Sequence, residues 1–208
     1  MTDKENEILW SKYFYPETSV LINNFGITDQ KKLKEVEATI TFEKLLELNK
    51  KPLEMGFDKE HLKALHKFVF GEIYPFAGDY RFVNIIKEKG SFLSIKDDKT
   101  IPDYLDYIFD EVRKKLDQSQ TKYDFAYALA YLYTNLIYCH PFREGNGRVI
   151  REFVREFTLA KGQNKFELDW RLIPPEELNK NIEVAHMFPG ETALLFYEAL
   201  VPIKSKNI

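Results

Sequence analysis

A chain of 208 residues with 44% hydrophobic and 30% charged residues and a formal charge of -3 is ordinary for a globular protein and long enough to bury one core. The near balance of charge excludes a general attraction to nucleic acid or to an anionic membrane, so any site for a polyanion must be local. One cysteine, Cys139, excludes an intramolecular disulfide framework and a cysteine-based zinc cluster, and fits a reducing compartment.

The N-terminal residues Met1 to Glu7 are charged and lack the apolar core of a signal peptide, and no stretch approaches the roughly 18 uninterrupted apolar residues of a membrane span. A cytoplasmic location is the expectation; delivery to another cell by a specialised signal would escape this reading. Repeats, low-complexity tracts and Gly/Ser linkers are absent, so the chain reads as a single domain over 1–208, with a lead-in over 1–29, a core over about 30–160 and a helical extension over 163–208.

In chain order, Tyr13 to Asn24 carries Pro16 and scattered aromatics and reads as irregular. A helix is expected from Thr28-Asp29, either able to cap it, to about Asn49, with Leu33, Val36, Ile40 and Leu45 at near-helical spacing. A second follows Asp58, with Leu62, Leu65, Phe68 and Val69 on one side, and ends at Gly71. Between Asp79 and Ile95 the β-branched and aromatic residues Phe82, Val83, Ile85 and Ile86, the turn Glu88-Lys89-Gly90, and Phe92-Leu93 predict one hairpin. After Pro102, Leu105, Ile108, Phe109, Val112 and Leu116 form the stripe of an amphipathic helix. Tyr123 to Cys139 is apolar or aromatic on every side, the pattern of a buried central helix. Val149, Ile150, Phe153, Val154 and Phe157 again recur helically until Gly162. The tail offers a short helix after Pro174-Pro175 and a last stripe through Leu194, Leu195, Tyr197 and Leu200. The fold expected is mainly α with one β-hairpin.

Between the central helix and the next lies a polar loop, His140-Pro141-Phe142-Arg143-Glu144-Gly145-Asn146-Gly147-Arg148. Two glycines around Asn146, just before a helix start, let backbone amides converge and a ligand approach where a Cβ would block it. The helix start favours an anion, with phosphate the natural one. At ~100° per residue, Arg148, Arg151 and Arg155 fall on one side of that helix, opposite its apolar residues. Such an arginine would hold a second phosphate. Glu144 is a carboxylate that phosphates would repel unless a hard divalent cation such as magnesium bridged the two. His140 can accept a proton near neutral pH. Base, metal carboxylate, amide cradle and phosphate clamp in one run point to phosphoryl or nucleotidyl transfer.

The run His140 to Arg151 resembles the signature H-x-F-x-[D/E]-G-N-G-R-x-x-R of the Fic (filamentation induced by cAMP) family at every fixed position. Phe57 to His66 and Ile73-Tyr74-Pro75-Phe76-Ala77-Gly78-Asp79-Tyr80-Arg81 are similar to the family's early helix and to the entry of its hairpin, so the resemblance extends from about residue 13 to 160. It implies a Fic-type helical core with a β-hairpin flap, an enzyme that moves AMP from ATP to a Ser, Thr or Tyr hydroxyl of a target protein and releases pyrophosphate. By position, His140 would be the base, Phe142 the loop anchor and Glu144 the Mg2+ ligand. The amides of Gly145, Asn146 and Gly147 would hold phosphate with Arg148 and Arg151. Ile85, Ile86, Lys87 and Phe92 would line the flap that docks the target. The inhibitory pattern [ST]-x-x-x-E-[GN] has no clean copy, and the lead-in is similar to members inhibited by a separate small antitoxin, which implies such a partner in trans.

Blander readings stand beside these. His61, His66 and His186 are expected to be structural, Cys139 a packing residue and Arg155 a surface ion-pair residue. Asn146 could be a turn former, and Ile85 and Ile86 could cover core rather than dock a target. As alternatives, the same site could move another nucleotide or a phosphate group, or the chain could be an inactive nucleotide-binding module. A metal hydrolase is disfavoured, because only His140 and Glu144 offer themselves as ligands.

Overall fold

The structure is a computed structural model that describes residues 2–85, 92–162, 165–179 and 182–203. Helices make up most of it: α1 (Asp3–Ser11), α2 (Gln30–Lys50), α3 (Lys59–Phe70), α4 (Thr100–Asp117), α5 (Lys122–Cys139), α6 (Asn146–Lys161), α7 (Pro175–Asn179), α8 (Ile182–Ala185) and α9 (Gly190–Ala199). A two-stranded antiparallel sheet pairs β1 (Phe166–Leu168) with β2 (Leu200–Pro202). Among the described residues no helix is long and apolar enough to cross a membrane.

The expected helix starts hold for chemical reasons. Asp29 accepts the Lys32 amide at the start of α2, and Asp58 accepts the amides of Glu60 and His61 at the start of α3. Thr121 and Asp124 form a reciprocal capping box that opens α5. α5 is buried on more than one side, from Ala126, Leu129 and Ala130 to Leu136 and Cys139, because α4, α6, α8 and α9 all pack on it. α4 buries the expected stripe, Leu105, Ile108, Phe109 and Val112, and α6 buries Val149, Ile150, Phe153, Val154 and Phe157.

Two expectations, the apolar face of the last helix and the exposure of Arg155, need correction, and α1 and the tail's sheet come in addition to the expected elements. The N-terminus forms α1, opened by a Thr2–Glu5 capping box where no apolar periodicity announced a helix; only the segment after it is irregular. The apolar face of α9 is Ala193, Phe196 and Ala199, whereas Leu194 and Tyr197 are exposed; small residues at this spacing let α9 lie close against α5. The sheet joins two tail segments. Around the expected hairpin no strand ladder is assigned to the described residues, and its tip, with Ile86 and Lys87, lies outside them. Lastly, Arg155 is no surface residue. With its side chain 16% exposed, it donates to both oxygens of Glu152 and to the Leu48 carbonyl, tying α6 to α2.

Candidate active site

The polar loop runs from the last turn of α5 to the first turn of α6. His140 closes α5 in the left-handed region (φ 45°, ψ 59°), its amide still bonded to the Leu136 carbonyl at 3.0 Å. A non-glycine residue there carries strain, and the turn re-aims the chain out of the helix axis. The imidazole Nδ1 lies 3.4 Å from the Ile137 carbonyl, an acceptor, so that contact places a hydrogen on Nδ1 and leaves Nε2 as the nitrogen available to a ligand. The Phe92 ring sits 4.0 Å from the imidazole, centroid to centroid.

Three contacts fix the loop. Phe142 is fully buried and stacks on His66 at 3.9 Å. The Asn146 side chain pinches the loop shut, accepting the Phe142 amide at 2.9 Å and donating to the Phe142 carbonyl at 2.8 Å. Gly145 sits at φ +77°, and a Cβ there would lie 2.3 Å from the Phe70 ring, so only glycine fits. As the residue before α6 it offers no side-chain cap, which leaves the start of that helix to serve an anion. The Gly145 amide itself donates to Glu144 Oε1 at 3.0 Å.

His66 and Arg81 support the loop from beneath. The Gly78 amide donates to His66 Nδ1 at 2.8 Å, which makes His66 Nε2 the donor to the Glu144 carbonyl at 3.0 Å. Burial lowers the His66 pKa to about 4, so the ring is neutral and the tautomer set. Arg81, 2% exposed, donates to the carbonyls of His140, Val83, Leu93 and Cys139 at 2.7, 2.6, 2.6 and 3.1 Å. One guanidinium thus ties the end of α5 to both described ends of the flap. Burial lowers its pKa to about 10, still charged at neutral pH. Sequence reasoning gave Arg81 a place in a motif but no role, since carbonyl acceptors leave no side-chain pattern.

A cavity of about 390 Å³ opens over the loop, lined by Trp10, Ile85 and His140, by Arg143 to Arg148, and by Arg151. It brings together His140, Glu144, Gly145, Asn146, Gly147, Arg148, Arg151 and Ile85 of the expected site. Phe142 lies in the core below, Phe92 against His140, and Ile86 and Lys87 fall outside the described residues. The Glu144 side chain is 41% exposed and faces the cavity. The Arg151 guanidinium approaches Gly147 so closely that a Cβ there would be 3.3 Å from Nη1. Arg148 donates to Glu37 Oε1 at 2.5 Å and to Thr41 Oγ1 at 3.2 Å. Arg143 turns from the loop into an aromatic cage, 4.0 Å from the Trp10 ring centroid, with Phe14 and Tyr13 at 5.2 and 5.5 Å. Glu37, Trp10 and the cage were missed, because they lie more than a hundred residues upstream with no spacing that links them to the loop.

The bland expectations fare variously. His61 pairs with Glu156 in the core at 3.0 Å and His186 stacks on Tyr138 at 3.8 Å. Burial pushes the Cys139 thiol up to about 12, so it is not a nucleophile at neutral pH.

Fold and site together define a helical domain with a glycine-flanked loop at the junction of two core helices, its helix start free of a side-chain cap and a histidine beside it. Residues 56–158 match the family model described as Fic/DOC. A protein adenylyltransferase of Bartonella schoenbuchensis is 32% identical over 169 residues, covering 81% of this chain and 34% of its own. A relative from Sinorhizobium fredii, named a probable protein adenylyltransferase, is 31% identical over 169 residues, covering 78% of this chain and 81% of its own. The N-terminal Fic domain of a VirB-translocated Bep effector protein from Bartonella quintana, crystallised with bound ADP, superposes with a TM-score of 0.76 at 26% identity, covering 93% of this chain and 96% of that one. The chain belongs to the Fic/DOC family, and it spans about a third of the Bartonella schoenbuchensis relative.

Proposed function

We propose that this chain is a protein adenylyltransferase that moves AMP from ATP to a Ser, Thr or Tyr hydroxyl of a target protein. The observation that carries the reading is the convergence of His140, the uncapped start of α6, Glu144, Arg148 and Arg151 on one cavity. His140 Nε2 takes the proton of the incoming hydroxyl, whose oxygen bonds to the α-phosphorus as the bond to the β-phosphate oxygen breaks and pyrophosphate leaves. The amides of Gly145, Asn146 and Gly147 receive the α-phosphate, where charge builds up at the reacting centre, and Arg148 and Arg151 hold the departing phosphates. Gly145 would release Glu144 Oε1 to do so.

Glu144 fits magnesium. It is a cavity-facing carboxylate beside the phosphate cradle, and Mg2+ usually takes one or two carboxylates with substrate phosphates and waters. Among the described residues no cluster of three or more His, Cys, Asp or Glu offers a complete protein cage. When bound, the ion would neutralise phosphate charge. Phe142 anchors the loop, and Ile85, Ile86, Lys87 and Phe92 belong to the flap that docks the target. We read the whole of 1–208 as one domain working in a cytoplasm, its own or a recipient cell's.

Among the described residues no carboxylate forms an ion pair with Arg151, which supports restraint by a separate antitoxin rather than by an internal glutamate. Purified alone, the chain is therefore expected to modify itself. The function is tested with lysate protein, magnesium and ATP labelled at the α- or the γ-phosphate. Transfer of the α-label alone supports adenylylation; γ-label transfer shows a phosphate-moving enzyme, and nucleotide binding with no transfer of either shows a binding module. UTP and GTP as competitors read the nucleotide preference.

A further inference from the structure

Arg148 is held from behind. Glu37 and Thr41 stand one turn apart on α2 and so face the same way. The first takes Arg148 Nη2 at 2.5 Å and the second takes Nη1 at 3.2 Å, while the Phe70 ring lies 4.8 Å under the guanidinium carbon. Neither acceptor is adrift. Thr41 gives its own hydroxyl hydrogen to the Glu37 carbonyl at 2.8 Å, which turns its lone pairs toward Arg148. The second carboxylate oxygen of Glu37 accepts the hydroxyl of Tyr74, a core residue 2% exposed. Burial, and then the neighbouring Glu37, push the Tyr74 phenol up, so it remains a donor.

Arg148 lines the cavity with Glu144, Gly147 and Arg151, whereas Glu37, Thr41 and Tyr74 do not. The carboxylate thus holds the guanidinium without itself lining the ligand space. A planar guanidinium has five N–H donors, so two can be spent on α2 while the rest remain for a ligand in the cavity that Arg148 lines. A glutamate that blocked phosphate would have to occupy the cavity, and this one does not.

We propose that Glu37, fixed by Tyr74, is a positioning residue for Arg148. It sets the guanidinium so that its remaining edge meets a second phosphate when the first rests on the loop amides. The proposal builds on the nucleotide-transfer reading above. Its signature is a sign. If charge alone mattered, neutralising Glu37 would make the cavity more positive and tighten the binding of a diphosphate. If position matters, the same change loosens it.

Calorimetric titration of magnesium-ADP and of AMP into the wild-type chain, Glu37→Gln and Tyr74→Phe tests this. Glu37→Gln is expected to weaken ADP binding on the order of tenfold, the scale on which a displaced contact is felt, and to leave AMP binding unchanged. Tyr74→Phe should shift ADP in the same direction by less. In an Arg148→Ala background Glu37→Gln should cost nothing further, since the residue it positions is gone. Glu37→Gln binding ADP as tightly as wild type or more tightly, or losing AMP and ADP equally, overturns the proposal while the nucleotide reading stands. A wild-type chain that binds no ADP removes both. If Glu37→Gln fails to fold, unchanged ADP binding in Tyr74→Phe overturns the proposal by itself.

Discussion

Gly145 is where backbone conformation and packing together forbid a side chain. Its φ of +77° is costly for any L-residue, and the Phe70 ring occupies the space a Cβ would take. Gly145→Ala is expected to destabilise the fold by about 1–3 kcal/mol in urea unfolding, from strain and overpacking. His66 is the residue where pH enters. Its folded pKa of about 4 lies below its ordinary value of 6.5. Above pH 6.5 both folded and unfolded states are neutral and no stability is lost. As pH falls from 6.5 toward 4, the unfolded chain binds a proton that the folded chain refuses, so stability drops by up to roughly 3 kcal/mol. Urea unfolding at pH 7 and pH 5 should show this loss in the wild type and a smaller one in His66→Gln. The loop residues were legible singly, because glycine, histidine and carboxylate in a polar run declare their chemistry. Their supports were not, since His66 acts through backbone groups and Glu37 meets Arg148 across 111 positions of sequence.

At the scale of elements, α5 and α6 matter most because each ends or begins in the site. Both were readable: all-round apolarity marks a helix packed on several sides, and a one-sided stripe marks one with a working face. α1 was not, since it buries no residue fully and is placed by a few specific contacts. The Asn6 side chain donates to the Asn84 carbonyl at 3.1 Å and accepts its amide at 2.7 Å, while Trp10 covers Arg143. The flap is tied to α5 chiefly through Arg81. Replacing it with lysine removes the planar fork that reaches four carbonyls and leaves buried acceptors unpaired, at about 1–3 kcal/mol each. Arg81→Lys is expected to lower the unfolding midpoint and to raise amide exchange at Leu93, whose amide bonds the Tyr138 carbonyl. Unchanged exchange at Leu93 would mean that the flap is held by something else.

Across the molecule, helices from the whole chain converge on one loop. α2 supplies Glu37 behind Arg148, α3 supplies His66 and Phe70 beneath it, and α1 with the segment after it supplies the aromatic cage of Trp10, Tyr13 and Phe14 beside it. The helical class and the order of the core helices follow from periodicity and caps. The tail's sheet and the face of α9 do not, because three-residue strands and an alanine-rich contact carry little apolar pattern. In the proposed reaction this assembly transfers AMP with His140 as base. With α-labelled ATP, magnesium and a labelled acceptor protein identified from lysate, His140→Ala should lose transfer by a factor of at least about a hundred, with ADP binding and thermal midpoint unchanged. Transfer by His140→Ala at the wild-type rate would show that His140 is not the base.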